Sequence, residues 1–167
     1  MEMEKRVRTI CFVLCLAIPV AHAEASESEN QPAFSSVSGA FFALSVADMD
    51  ASVRWYSEKL GLKHVMVVPK RDRIAVTVLE GGGLIVELIQ HDDAVALRKA
   101  APAVSDPQMI HGVFKVGLVV ENFEQTLTRL KARRVEIAYG PFPARDRQRK
   151  NVVIRDNSGN LIQFFGK

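Results

Sequence analysis

The chain has 167 residues, of which 48% are hydrophobic and 25% are charged, and its formal net charge is +3 at pH 7. A chain of this length can bury one sizeable core but hardly two independent ones. The composition excludes a disordered chain, a collagen and a disulfide scaffold. The small positive excess is spread along the sequence, so charge alone identifies no partner.

The first 23 residues have the three parts of a secretion signal. A short basic start precedes an uncharged apolar run at residues 9–20, and Ala21 and Ala23 place small residues where a signal peptidase reads. We predict cleavage after Ala23 and an exported protein, periplasmic or secreted, with no stable membrane anchor. A membrane-spanning helix needs roughly 20 apolar residues, so the shorter run here disfavours an uncleaved anchor.

Both cysteines, Cys11 and Cys15, lie inside this predicted signal. The mature chain then has no thiol, which excludes disulfides, a cysteine nucleophile and cysteine-ligated zinc. Residues 24–38 are rich in Ser, Glu and Ala without an apolar period, and we predict a flexible leader there. The remaining domain, residues 39–167, carries 19 basic and 14 acidic residues and a formal charge of +5.

Residues 39–91 predict a strand, a helix and three further strands. The first strand alternates in hydrophobicity, and Asp48 can cap a helix that Gly61 ends. Three β-rich runs follow, and a triplet of glycines makes a tight turn between the last two. These runs are residues 62–68, 73–79 and 84–90.

Residues 111–167 repeat the same order of elements. Residues 114–120 alternate as a strand does, and Asn122 with Gln125 resembles a capping box before a helix. Three further strands are predicted at residues 135–138, 151–155 and 161–165.

The two copies keep a common register. Val46 near the start of the first copy corresponds to Val120 in the second, and Gly83 near its end corresponds to Gly159. The separation along the chain is almost the same for both pairs, so the correspondence holds across the whole unit. Between the copies, residues 91–107 predict a short helix and a linker.

Two strings carry a family resemblance: FFALSVADMDASVRWYSEKLGL at residues 41–62 and RDNSGNLIQFF at residues 155–165. They resemble the vicinal oxygen chelate superfamily, which includes glyoxalase I, extradiol dioxygenases, fosfomycin-modifying enzymes and bleomycin-binding proteins. The resemblance implies an α+β fold of two tandem βαβββ modules, here residues 39–91 and 111–167. It also implies an incomplete barrel around a cleft, often completed by a second chain, so that a homodimer is one expected arrangement.

The resemblance also locates the family's metal ligands, which are usually His or Gln with Glu. The matching positions in this sequence are Phe41, Glu87, Lys115 and Gln163. Phenylalanine has no lone pair to donate, and a protonated lysine repels a dication. We therefore expect a degenerate metal site and predict no cofactor. His111 is about 13 Å from Lys115 along an extended strand, too far to replace a lost ligand directly.

The leading hypothesis is metal-independent binding of a small organic molecule in the cleft, whose walls are mainly apolar. Glu87 is the candidate general base, should the cleft be catalytic. The candidate ligand-binding residues are Phe41, Ser45, Glu87, Lys115, Gln163 and Phe165.

Three alternatives remain open. Glu87 and Lys115 can form an internal ion pair in place of the metal. The protein can be a metal-dependent lyase or dioxygenase that uses Glu87 and Gln163 with His111 or with a residue of a partner chain. It can also be a non-catalytic structural or interaction module with a filled cleft.

Two basic stretches, residues 70–73 and 145–150, precede strands of the two modules. They can decorate one rim and attract an anionic ligand, although solvated loops are the simpler interpretation. No interleaved aromatic residues support base stacking, so nucleic acid is not an expected partner.

Overall fold

The structure of the protein, a computed structural model, describes Pro32 and residues 37–167. The predicted signal and most of the predicted leader lie outside the described residues. Residues 37–167 form one compact unit. Within this described part, each helix falls short of the length and apolar character needed to cross a bilayer.

The first module is a strand, a helix and three strands, as the sequence predicts. The helix α1 ends in one π-helical turn, and the three later strands form a meander. The elements are β1 (Ala40–Ser45), α1 (Met49–Trp55), the π-helical turn (Tyr56–Leu60), β2 (Lys63–Arg71), β3 (Ile74–Gly81) and β4 (Leu84–His91).

The second module repeats this order after a linker. The linker contains the predicted short helix, α2 (Leu97–Ala100), and a 3₁₀ turn (Pro107–Met109). The elements of the second module are β5 (Lys115–Val120), α3 (Phe123–Ala132), β6 (Glu136–Phe142), β7 (Asn151–Arg155) and β8 (Leu161–Gly166).

Each module forms its own four-stranded sheet. The strand orders are β1-β4-β3-β2 in the first sheet and β5-β8-β7-β6 in the second. In each, the first strand is parallel to the last, and the other pairs are antiparallel. This element order and strand pairing confirm the predicted α+β fold of two βαβββ modules. The two sheets do not close into one barrel.

The helices begin and end where their polar residues predict. The side chain of Asp48 accepts a hydrogen bond from the Ala51 amide at 2.9 Å, and that of Asn122 accepts one from the Gln125 amide at 2.9 Å. Gly61 ends the first helix with a φ of 80°, a left-handed conformation that glycine adopts without steric cost.

Alternation along the strands separates a buried face from an exposed one. Phe42 is 8% exposed and packs in the core with the helices, whereas its neighbour Phe41 is 60% exposed. In the second sheet Ile162 is fully buried and Val119 is 60% exposed. The helix-free faces of both sheets therefore hold the residues available to a ligand.

The edge strands extend beyond their predicted ends. β2 runs to Arg71 and β6 to Phe142, whereas the sequence predicts ends at residues 68 and 138. Both strands pair with their neighbours through register shifts, which carry the pairing past the regular hydrophobic alternation.

A buried polar contact joins the two modules. The Tyr56 hydroxyl on the first helix donates a hydrogen bond to Asp156 Oδ2, in the turn between β7 and β8, at 2.8 Å. Both residues are buried. Burial, followed by the negative charge of Asp156, raises the pKa of Tyr56 far above its usual range, so that the phenol stays a hydrogen-bond donor.

Candidate functional site

A recess of about 920 Å³ lies on the helix-free face of the second sheet. Strands β5, β7 and β8 form its floor, and the chain from the end of β6 through the β6–β7 loop forms one wall. We call it the second-module recess. It is lined by Lys115, Phe142, Pro143, Arg145, Arg147, Gln148, Arg149, Asn151, Gln163 and Phe165.

Strand register brings the floor residues together. Gly117 on β5 is paired with Gln163 on β8, and Val119 with Phe165. A Cβ atom added to Gly117 would lie 3.1 Å from Cε2 of the Phe165 ring. The missing side chain of Gly117 therefore lets the aromatic ring lie close to β5.

An amide network fixes the polar part of the floor. Gln163 is 7% exposed, and its Nε2 donates to Asn151 Oδ1 at 2.8 Å. Asn151 Nδ2 in turn donates to the backbone carbonyl of Arg149 at 3.0 Å. The buried amide is thus tied to the end of the loop that carries the arginines.

The β6–β7 loop makes a tight turn above the floor. Arg145 and Gln148 exchange backbone hydrogen bonds of 3.1 and 2.6 Å. Asp146 within the turn has a φ of 43°, and aspartate tolerates this left-handed region better than most residues. The turn fixes the backbone from which Arg145 and Arg147 extend.

The structure places three of the six predicted ligand-binding residues in this recess: Lys115, Gln163 and Phe165. The other three lie on the first sheet. Phe41 and Ser45 are exposed on β1, and the half-buried Glu87 lies on β4 beside Ala43 of β1. The predicted residues thus divide between the faces of two separate sheets.

The internal ion pair between Glu87 and Lys115 is not formed. Both residues are described, and neither takes part in an ion pair within the described part of the chain. Glu87 as a general base stays a prediction.

The residues at the family's ligand positions do not fit a metal ion. Phe41 offers no donor atom, and Lys115 offers an ammonium in place of a ligand. Among the described residues, no three His, Cys, Asp or Glu side chains cluster in a way that could hold a metal. His111 is exposed and precedes β5 rather than lying within it. The donor chemistry therefore supports no step through a metal at these positions.

The basic residues of the β6–β7 loop line the recess, whereas the basic residues at 70–73 do not, so the two stretches do not share its rim as the sequence predicts. A local signal was available: Arg71-Asp72-Arg73 and Arg145-Asp146-Arg147 are the same tripeptide, separated along the chain as Val46 is from Val120. We call these the first and second basic turns. The repeat marks equivalent turns but does not tell which of them lines a recess.

The comparisons with known proteins agree with this architecture. Residues 40–164 match the model of the Glyoxalase/Bleomycin resistance protein/Dioxygenase superfamily. The comparison with curated proteins found no significant match.

Several solved structures share the fold at low sequence identity. A glyoxylase/bleomycin resistance protein/dioxygenase domain from Frankia sp. EAN1pec is 22% identical, with a TM-score of 0.60 over 80% of this chain and 92% of that chain. A glyoxalase family protein from Enterococcus faecalis is 21% identical, with a TM-score of 0.59 over 79% and 98% of the two chains.

TnmS3, an antibiotic binding protein from Streptomyces sp. CB03234, is 20% identical, with a TM-score of 0.52 over 81% of this chain and 98% of that chain. At these identities the likeness establishes the fold alone, whereas the family match spans both modules. The chain therefore belongs to the Glyoxalase/Bleomycin resistance protein/Dioxygenase superfamily.

Proposed function

We propose that this protein binds a small organic molecule in the second-module recess without a divalent metal. The observation that carries the proposal is the recess itself. Its volume of about 920 Å³ lies in the range typical of small-molecule pockets, and two aromatic rings and a proline line it together with charged and amide side chains. A structural neighbour, TnmS3, is described as an antibiotic binding protein, which supports small-molecule binding on this fold.

Metal independence rests on the chemistry of the ligand positions. A divalent ion would have to replace its hydration shell with donors from Glu87 and Gln163 alone, because Phe41 and Lys115 supply none. Two oxygen donors on different sheets give a poor site for zinc, nickel or iron.

A thermal-shift screen of a compound library against chelator-treated protein tests the proposal. A ligand that binds the folded state raises the melting temperature. We expect hits in the absence of metal, with affinities unchanged when zinc, nickel, manganese or ferrous iron is added. Hits that require a metal would contradict metal independence and favour the metal-dependent alternative. The absence of any hit, with or without metal, would contradict small-molecule binding and favour a non-catalytic interaction module.

A matched pair of variants assigns the hits to the recess. Phe142 and Tyr139 lie on the same strand and are each 49% exposed, but only Phe142 lines the recess. Phe142→Ala should weaken binding of every recess ligand, because it removes one apolar wall, and Tyr139→Ala should not. Equal effects of the two substitutions would place the ligand elsewhere.

We also propose that the protein is exported after cleavage at Ala23, on the sequence pattern of residues 1–23. Mass spectrometry of the protein recovered from the periplasm or medium of an expression host tests this. The expected N-terminal residue is Glu24. An intact N-terminus in a cytoplasmic fraction would contradict export.

We also propose that the protein forms a homodimer. Large apolar side chains are exposed on the helix-free face of the first sheet, among them Phe41, Met66 and Ile85. Such surfaces commonly mark an interface. Light scattering of the purified protein should give the mass of two chains, and Ile85→Glu should shift it to one; a monomer at all concentrations would contradict the proposal.

A further inference from the structure

We propose that the ligand of the second-module recess is a small organic anion, a carboxylate or a phosphate ester carried on an aromatic body. This inference rests on the proposed function and specifies its ligand class. The juxtaposition that carries it is a group of cations without carboxylate partners beside aromatic walls and one oriented amide.

The charged residues that line the recess are all positive. Four of its ten residues are cationic and none is acidic. Asp146 is the one acidic residue of the loop at residues 143–150, and it does not line the recess. The cations are Lys115, Arg145, Arg147 and Arg149.

None of these four cations has a carboxylate partner among the described residues. Within residues 37–167, six basic side chains lie within 4.0 Å of a carboxylate oxygen, and none of the four recess cations is among them. The paired residues are Lys70, Arg71, Arg73, Lys150, Arg155 and Lys167.

Unpaired positive charge in a concave, partly apolar site attracts anions. The concave lining lets several of these exposed cations act on one ligand, which strengthens the attraction relative to a single surface charge. A guanidinium also presents parallel N–H donors that match the geometry of a carboxylate or a phosphate. The same charges repel a metal cation or an organic amine.

The apolar side chains that line the recess favour a ligand that also has an apolar part. Phe142 is 49% exposed, Pro143 follows it, and the ring of Phe165 lies over Gly117. Exposed aromatic rings gain by stacking against a second ring, which removes apolar area from water on both sides. An inorganic anion would leave these apolar surfaces exposed to water, whereas an anion attached to an aromatic ring would cover them.

Gln163 offers the ligand an additional hydrogen-bond acceptor. Its Nε2 is occupied by Asn151, and its Oε1 accepts no hydrogen bond from the described residues. No fully buried side-chain oxygen or nitrogen there lacks a partner, so Oε1 retains access to the recess it lines. It can accept a hydrogen bond from a ligand hydroxyl or amide.

A matched set of ligands on one ring system tests the inference. The probes are naphthoate, naphthyl phosphate, naphthamide and naphthylmethylamine, titrated calorimetrically against the purified full chain at low ionic strength. We expect the two anions to bind at least about tenfold more tightly than the amide, as charge-assisted hydrogen bonds imply, and the amine to bind most weakly. Added salt should reduce the preference for anions.

The outcomes separate this inference from the proposed function. Binding of the amide or the amine as tightly as the anions would overturn the anionic class and leave small-molecule binding intact. Binding of none of the four probes, together with no hit in the library screen, would overturn both. Binding of inorganic phosphate as tightly as naphthyl phosphate would overturn the requirement for an aromatic body.

Discussion

The first and second basic turns place the same tripeptide at equivalent positions of the two modules, yet their surroundings differ. In the first module, Lys70 and Arg73 pair with Asp92 and Asp93, which follow β4. In the second module, Lys167 follows β8, and it pairs with Glu121 rather than with the turn. A turn motif thus fixes where the arginines lie, while residues elsewhere in the chain decide whether their charge is available to a ligand.

A second difference concerns the turns between the last two strands of each module. Asp156 begins the β7–β8 turn and accepts hydrogen bonds from the Tyr56 hydroxyl, two backbone amides and the Asn160 side chain. Glu80 holds the corresponding place in the first module, three residues before the turn glycine Gly83 as Asp156 is before Gly159, and is exposed. The second module therefore has a β7–β8 turn held by hydrogen bonds to Asp156 and, on the same sheet, a recess lined by unpaired cations.

The largest expected effect is on the anchored turn. Asp156→Ala leaves the buried Tyr56 hydroxyl and the turn amides without their acceptor, and should lower the free energy of unfolding by about 3 kcal/mol. The matched substitution Glu80→Ala removes an exposed side chain and should cost less than about 0.5 kcal/mol. Urea denaturation of both variants measures the difference, and equal costs would show that the two turns are equivalent.

The next effect concerns ligand binding at the two basic turns. Arg145→Gln with Arg147→Gln removes two unpaired recess cations, so the affinity for naphthoate should fall at least about tenfold. Arg71→Gln with Arg73→Gln changes the first turn in the same way and should alter that affinity by less than about twofold, because neither side chain lines the recess and Arg73 is already paired with Asp93. Calorimetric titration of each variant distinguishes the turns; a similar loss in both would mean that general surface charge attracts the anion.

A smaller effect follows from making the second sheet resemble the first. Gly117 on β5 corresponds to Ala43 on β1, since each lies three residues before the matching valines Val120 and Val46. Gly117→Ala places a methyl group 3.1 Å from the Phe165 ring, and displacing the ring should cost about 1 kcal/mol of stability and weaken ligand binding severalfold.

The reverse change, Ala43→Gly, provides the control. It should lower stability by about 0.5–1 kcal/mol through backbone entropy and leave ligand affinity unchanged. Melting curves and naphthoate titrations check both variants. An unchanged affinity in Gly117→Ala would remove Phe165 from the binding surface.

The smallest effect is the titration of Asp92 in the first module. The hydrogen bond from Lys70, together with nearby positive charges, lowers the pKa of Asp92 below its usual value of 3.8. The ionised form therefore favours the folded state at neutral pH, and this contribution is lost as the pH falls through the lowered pKa. NMR titration of the carboxyl group should show that low pKa, and Lys70→Met should raise it; an unchanged value would show that the ion pair is not populated.

The sequence predicts most of the fold because its signals are local. Alternation along β1 identifies Phe42 as buried and Phe41 as exposed, and the capping residues Asp48 and Asn122 mark where the helices begin. The internal repeat then relates the two copies to each other. Strand ends at β2 and β6 are less predictable, because register shifts continue their pairing beyond the hydrophobic pattern.

The site is only half predictable because its contacts are not local. Period-2 alternation places Lys115, Gln163 and Phe165 on the helix-free face of the second sheet, and all three line the recess there. The position of the β6–β7 loop against that face depends on packing, and the carboxylates that pair with Lys70 and Arg73 lie 22 and 20 residues away along the chain. The Tyr56–Asp156 contact spans 100 residues. Nothing in the local sequence identifies these partners.

The most direct test of the account is to map a bound aromatic acid onto the protein by NMR. Naphthoate added to isotope-labelled, chelator-treated protein should shift the backbone amides of Lys115, Arg149, Gln163 and Phe165, with the helix-free face of the first sheet, including Ala43 and Glu87, unchanged. Shifts confined to the first sheet, or no shifts at saturating naphthoate, would contradict an anion site in the second-module recess.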